Sequence, residues 1–119
     1  MKTLLASIAL LLLAACAQLQ PVADAVSTPQ ALAGCAAADV LTTAAVVSTG
    51  HGVEANPLLA PAVNAHHFLP MVLSKFAIVG VIWWLYDHFH ESKAMKVGVG
   101  VATVVTCGAA IHNAMLLIP

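Results

Sequence analysis

Three apolar blocks, at about residues 31–49, 70–87 and 97–118, constrain this chain more than anything else in it. Each is long enough to cross a hydrocarbon layer about 30 Å thick as an α-helix rising about 1.5 Å per residue. The blocks are continuous rather than striped, so none reserves a face for water. Charged side chains make up 8% of the 119 residues and apolar ones 61%, too little charge to coat a soluble domain. Lipid offers backbone groups no hydrogen-bonding partner, so spanning segments of this kind become helices. The expected fold is an all-α membrane protein: an N-terminal signal segment, then a three-transmembrane-helix bundle with a short interfacial or re-entrant helix.

The chain opens on Met1-Lys2, an apolar run from Leu4 to Leu13, and Leu13-Ala14-Ala15-Cys16. A charged start, an apolar core and small residues at the cut form a secretory signal. Its last four residues resemble the lipobox of bacterial lipoproteins, in which the cysteine is lipid-modified and becomes the first mature residue. Two other readings stay open: an uncleaved helix over about Thr3–Leu19, and an ordinary cut after Ala17. The lipobox reading makes residues 1–15 a signal peptide and Cys16 the lipidation site. The protein is then a multi-pass component of the bacterial inner membrane with a lipid anchor on the periplasmic side. Cys35 and Cys107 fall within apolar blocks and read as small packing residues rather than a disulfide.

Residues 16–30 contain Pro21, Asp24, Ser27, Thr28 and Pro29 and suit an exposed linker, leaving 31–119 as the helical membrane domain. Gly50 and Gly52 end the first span. Asn56-Pro57 has the form of a helix start, which gives a short helix over Leu58–Asn64 that Pro61 limits. Trp83, Trp84 and Tyr86 close the second span as an interfacial belt. The stretch Asp87–Lys96 reads as a polar loop before the third span, whose Gly98, Gly100, Ala102, Gly108, Ala109 and Ala110 suit close helix contact.

Polar residues inside these spans demand an explanation, because an Asp at a helix centre costs about 2.5–3.5 kcal/mol to insert. Three spans in series bring the 51–69 connection, the start of the second span and the end of the third to one membrane face. Lys75 and Asn113 then lie level, each roughly 7–8 Å from that face, while Asp39 is about 16 Å deeper than the Gly50 turn. Thr42, Thr43 and Val46 follow Asp39 at helical spacing. The expected polar cluster is Asp39, Thr42, Thr43, Glu54, Asn56, Pro57, Lys75 and Asn113, with Lys75 paired to Asp39 or to Glu54.

The pattern Asp39-x-x-Thr42-Thr43, Gly50, Glu54-Ala-Asn56-Pro57, then Lys75 and Asn113, resembles a family of small prokaryotic membrane proteins known only as a domain of unknown function. The resemblance covers about Ala36–Ile118. It implies a compact helical membrane domain with Asp39, Glu54, Asn56, Pro57 and Lys75 as signature positions, and it brings no activity. This chain differs in its lipobox and in an added residue in the turn Gly50-His51-Gly52.

The four lysines, Lys2, Lys75, Lys93 and Lys96, form no patch, so nucleic acid is not an expected partner. The expected partners are the lipid bilayer and other membrane proteins or further copies of the chain. Six histidines raise a metal reading, with His51, His66 and His67 (beside Glu54) at one face and His88 and His90 at the other as weak candidates. None has a ligand spacing such as His-Glu-x-x-His. Ser48, Ser74 and Cys107 lack the surroundings of an activated nucleophile. The sequence therefore points to a non-enzymatic structural or partner-binding membrane component without a cofactor. A small transporter, channel or proton-coupled subunit using Asp39, Lys75 and Glu54 is the alternative. A membrane enzyme or metal-binding protein comes third.

Overall fold

The computed structural model describes Ala14, Gln18 and residues 20–119. Cys16, and all of the expected signal segment except Ala14, lie outside the described residues. Three long helices, α1 (Pro29–Ser48), α3 (Leu69–Phe89) and α4 (Lys93–Leu116), are joined through one short turn of helix, α2 (Ala60–Val63). All three long helices have the length and apolarity to cross a membrane, and the described residues contain no strand. Residues 20–26, expected as a linker, are helical and mostly exposed.

Local chemistry sets the helix ends. Thr28 caps α1 in an extended conformation, its Oγ1 accepting from Ala31 N at 3.2 Å, and Pro29 follows where a missing N–H leaves no bond unmade. At the other end Gly50 takes φ +73°. It donates to Val47 O, and His51 donates to Val46 O, which closes a Schellman motif. The same pair of bonds ends α2: His66 N to Val63 O and His67 N to Ala62 O, with His66 at φ +63°. The short helix begins at Ala60 rather than Leu58, because Asn56 and Pro57 form a turn and Pro61 takes the early helical position. The third span begins at Lys93 rather than Val97. Ser92 Oγ accepts from Met95 N, so a capped polar turn extends the helix beyond its apolar block.

α1 is the central element. Its buried residues Leu32, Cys35, Ala36, Asp39, Val40, Thr43, Val46 and Val47 recur every three or four positions and form one stripe that meets both other spans. Asp39–Lys75 and the shared cluster of Leu32 with Val79 run in opposite chain directions, so α1 and α3 are antiparallel. Ser27 beside Gly100, Cys35 bonded to Cys107 and Thr43 bonded to Asn113 ascend together, so α1 and α4 are parallel. Apolar packing forms two cores. Val40, Val47, Val63 and Met71 lie toward the connection between α1 and α3; Leu32, Ala36 and Val79 lie toward the opposite end. Large side chains such as Leu73, Val81, Trp84, Val101, Val105 and Ile111 point outward, as a lipid-facing surface requires.

Two sequence expectations change here. Cys35 and Cys107 are joined by a disulfide, with Cα atoms 4.8 Å apart, and are not separate packing residues. Neither block reveals on its own that α1 and α4 bring these positions face to face. Of the small residues in α4, Gly100 and Ala110 are buried, while Gly98, Gly108 and Ala109 are exposed. At Gly100 the approach is close: a Cβ would lie 2.7 Å from Ser27 Oγ.

Candidate functional site

Between the two apolar cores lies a layer of polar side chains drawn from all three spans. Asp39 reaches it from the middle of α1, about 13–14 Å from the end of that helix, and Lys75 from about 9 Å inside α3. The Asp39 residue is 4% exposed. Its Oδ2 pairs with Lys75 Nζ and its Oδ1 accepts from Asn113 Nδ2 at 3.2 Å. Asn113 Nδ2 also donates to Thr43 Oγ1 at 2.9 Å, which returns the network to α1 one turn beyond Asp39. One carboxylate thereby ties α1 to α3 through an ion pair and to α4 through an amide. Among the described residues no buried side-chain nitrogen or oxygen lacks a hydrogen-bonding partner.

The remaining expected members have other roles. Thr42 donates to Ala38 O at 2.8 Å within its own helix, off the buried stripe. Glu54 does not pair with Lys75: its Oε1 accepts from Asn56 N at 2.8 Å, while its own backbone N donates to Asn64 Oδ1 at 2.8 Å. Asn56 Oδ1 accepts from Leu58 N at 3.0 Å. The Glu54-Ala-Asn56-Pro57 motif is therefore a self-bonded turn whose local N–H groups satisfy its polar side chains. Pro57 begins the tight bend that leads into α2.

This turn covers a chamber of about 280 Å³ with mixed walls, whose polar part is Asp39, Thr43, Glu54, Lys75, His112 and Asn113. Gly52 allows the cover to sit close, since a Cβ there would come within 2.7 Å of Val46 Cγ1. The sequence reading missed two participants. Asn64 holds the turn from ten residues away, and His112 lines the chamber; the available signal for His112 was a histidine beside Asn113 inside a span.

The histidines gather no metal site: among the described residues no three His, Cys, Asp or Glu side chains are arranged to hold an ion. His51 Nδ1 lies 2.9 Å from Thr49 Oγ1, and His66 sits edge-on to Phe68. His88 Nδ1 lies 2.7 Å from Trp84 O, its ring tilted 40° against that indole, while His90 Nε2 is 3.2 Å from Glu91. His67 is exposed in the turn after α2.

Comparison with known proteins gives one match. The family model described as Domain of unknown function (DUF5658) covers residues 30–119, a range that contains the polar layer, its covering turn and all three spans. Searches of curated proteins and of solved structures return no match.

Proposed function

The chain belongs to the DUF5658 family of unknown function, and we propose that it is a non-enzymatic membrane component that acts through its lipid- and partner-facing surface. The Asp39–Lys75–Asn113–Thr43 network serves as its internal fastener. One observation carries this reading: both carboxylate oxygens of Asp39 are engaged, and the hydrogen bonds around them join all three spans. A buried ionic layer of this kind fixes helix register, the best-attested role of buried polar groups, and needs no substrate.

Position in the cell follows from the signal. The Leu13–Cys16 lipobox supports an N-terminal anchor on the periplasmic side of the bacterial inner membrane. The 51–68 connection, with the mouth of the chamber, would then face the cytoplasm. Labelling of single cysteines at Ala65 and Ser92 in intact cells, with the mass of the mature N-terminus, tests this orientation. Reaction at Ala65 in place of Ser92 overturns it.

The chamber favours a second reading. Glu54 and His112 line the same space as Asp39 and Lys75, which is the arrangement a proton- or ion-coupled subunit would use. The double substitution Asp39→Leu with Lys75→Met separates the two. A fastener can be replaced by apolar packing, so this variant should fold and give the wild-type pattern of crosslinks from a photoreactive residue at Val104. A folded variant with altered crosslinks rejects the fastener. Ion or proton flux through wild-type proteoliposomes that this variant lacks establishes the coupled reading instead.

A further inference from the structure

α3 and α4 follow one another in sequence yet make few direct contacts, because each packs mainly on α1. They diverge and leave a cleft of about 440 Å³. Leu32 and Ala36 of α1 form its floor, Ile78 and Ile82 of α3 one wall, and Ala102 and Thr106 of α4 the other. Thr106 Oγ1 donates to Ala102 O at 2.7 Å, so it offers the cleft no hydrogen-bond donor.

The end nearer the 51–68 connection differs in chemistry. Asn56, Ser74 and Lys75 meet there, and Leu58 and Leu59 close it over. Ser74 Oγ donates to Met71 O at 3.1 Å, and Asn56 Oδ1 is already taken by Leu58 N. Among the described residues the Asn56 amide nitrogen has no hydrogen-bonding partner. Lys75 carries three donors, of which Asp39 Oδ2 takes one. N–H donors, one set on an ammonium, therefore stand at this end above an apolar cleft. From Ser74 to Ile82 the α3 wall of the cleft runs about 12 Å, most of the roughly 15 Å of one hydrocarbon leaflet.

We propose that this cleft is a phospholipid site, with one acyl chain lying between α3 and α4 and ester and phosphate oxygens accepting from Lys75 and Asn56. The match is one of hydrogen-bonding sense: the spare N–H groups of an ammonium already paired with Asp39, and an amide N–H, face an oxygen-rich head above walls that match hydrocarbon. A helix from a second copy would fill the apolar part but leave these donors without acceptors. Among the described residues Lys75 is the only cationic one lining the cleft, so retention should depend on the glycerophosphate and the chain rather than on the rest of the headgroup. This inference goes beyond the fastener reading and does not rest on it, since it needs the divergence of α3 and α4 and the donors at one end.

Native mass spectrometry of the full chain tests it. The protein is purified in a mild detergent, delipidated, and given back dioleoyl phosphatidylglycerol or dioleoyl phosphatidylethanolamine. Wild type should retain one phospholipid per chain, about equally for the two lipids. Ala102→Phe, which fills the cleft, should lower retention at least tenfold, whereas Ile111→Phe, on the exposed side of α4, should leave it unchanged. Both variants are checked for the Cys35–Cys107 bond on non-reducing gels. If Ala102→Phe does not fold, Ile78→Trp at an exposed wall position supplies the same readout. Absence of a retained lipid in wild type overturns the proposal, as does undiminished retention in the filled cleft. A wild-type dimer that Ala102→Phe converts to monomer assigns the cleft to a second copy.

Discussion

Removing Lys75 alone should damage this protein more than removing Lys75 and Asp39 together. In Lys75→Met the Asp39 side chain, 6% exposed, keeps only the Asn113 amide on Oδ1. Leaving a buried charge without its counter-ion costs about 3–5 kcal/mol, and inserting an Asp into a membrane helix costs a similar 2.5–3.5 kcal/mol, so about 3 kcal/mol is expected. Asp39→Leu is milder. The Lys75 side chain is 27% exposed and borders the chamber, so its ammonium can turn toward water at about 1–2 kcal/mol. The double variant carries neither charge and fills the space with Leu and Met, for a net change of about 1 kcal/mol or less. The expected coupling energy is therefore about 3–4 kcal/mol, well above the 0.3–0.5 kcal/mol scatter of independent sites. Unfolding by SDS in mixed micelles, followed through Trp83 and Trp84 fluorescence, measures all four proteins. Single effects that simply add to the double would refute the buried pair.

Three further outcomes follow from local geometry. His66→Gly should raise stability by about 0.5–1 kcal/mol in the same titration, since glycine holds φ +63° without a Cβ clash; a loss would mean that the His66–Phe68 contact matters more. Gly50→Ala should lower stability by about 1 kcal/mol for the mirror-image reason, and an unchanged midpoint would remove the Schellman closure from the account. Replacing Cys35 and Cys107 with Ala should cost about 2–4 kcal/mol, because the bond ties positions 72 residues apart. A reductant should then shift the unfolding midpoint of wild type and leave that of the variant unmoved.

The spans were legible because their apolar blocks exceed what any soluble helix needs, and the end of α1 because Gly50 marks a left-handed cap. The start of α4 was not, since Lys93 and Lys96 look like loop when only hydropathy is read; the Ser92 cap was the missed signal. Depth along each helix put Lys75 and Asn113 at one level, and the structure brings both to Asp39. Depth says nothing about direction around the helix axis, which is why Thr42 and Thr43 could not be told apart. Glu54 and Asn56 were drawn toward the cluster by their polarity, while the turn offered them nearer N–H groups. The Cys35–Cys107 bond was hidden for a related reason: pairing two cysteines requires the register between α1 and α4, and no single block carries it.

Placing the central helix ahead of the two spans that pack on it sets a schedule for assembly. Asp39 enters the membrane before either of its partners exists: Lys75 follows 36 residues later and Asn113 after 74. At synthesis rates of about 5–20 residues per second, the acid waits roughly 2–7 s for its ammonium and roughly 4–15 s for its amide. During that interval the carboxylate on α1 has neither partner, and taking up a proton or borrowing another donor lowers the cost of lodging it in lipid. A ribosome that stalls before Lys75 is made leaves an unfinished chain whose acid lacks the counter-ion that it has in the mature protein.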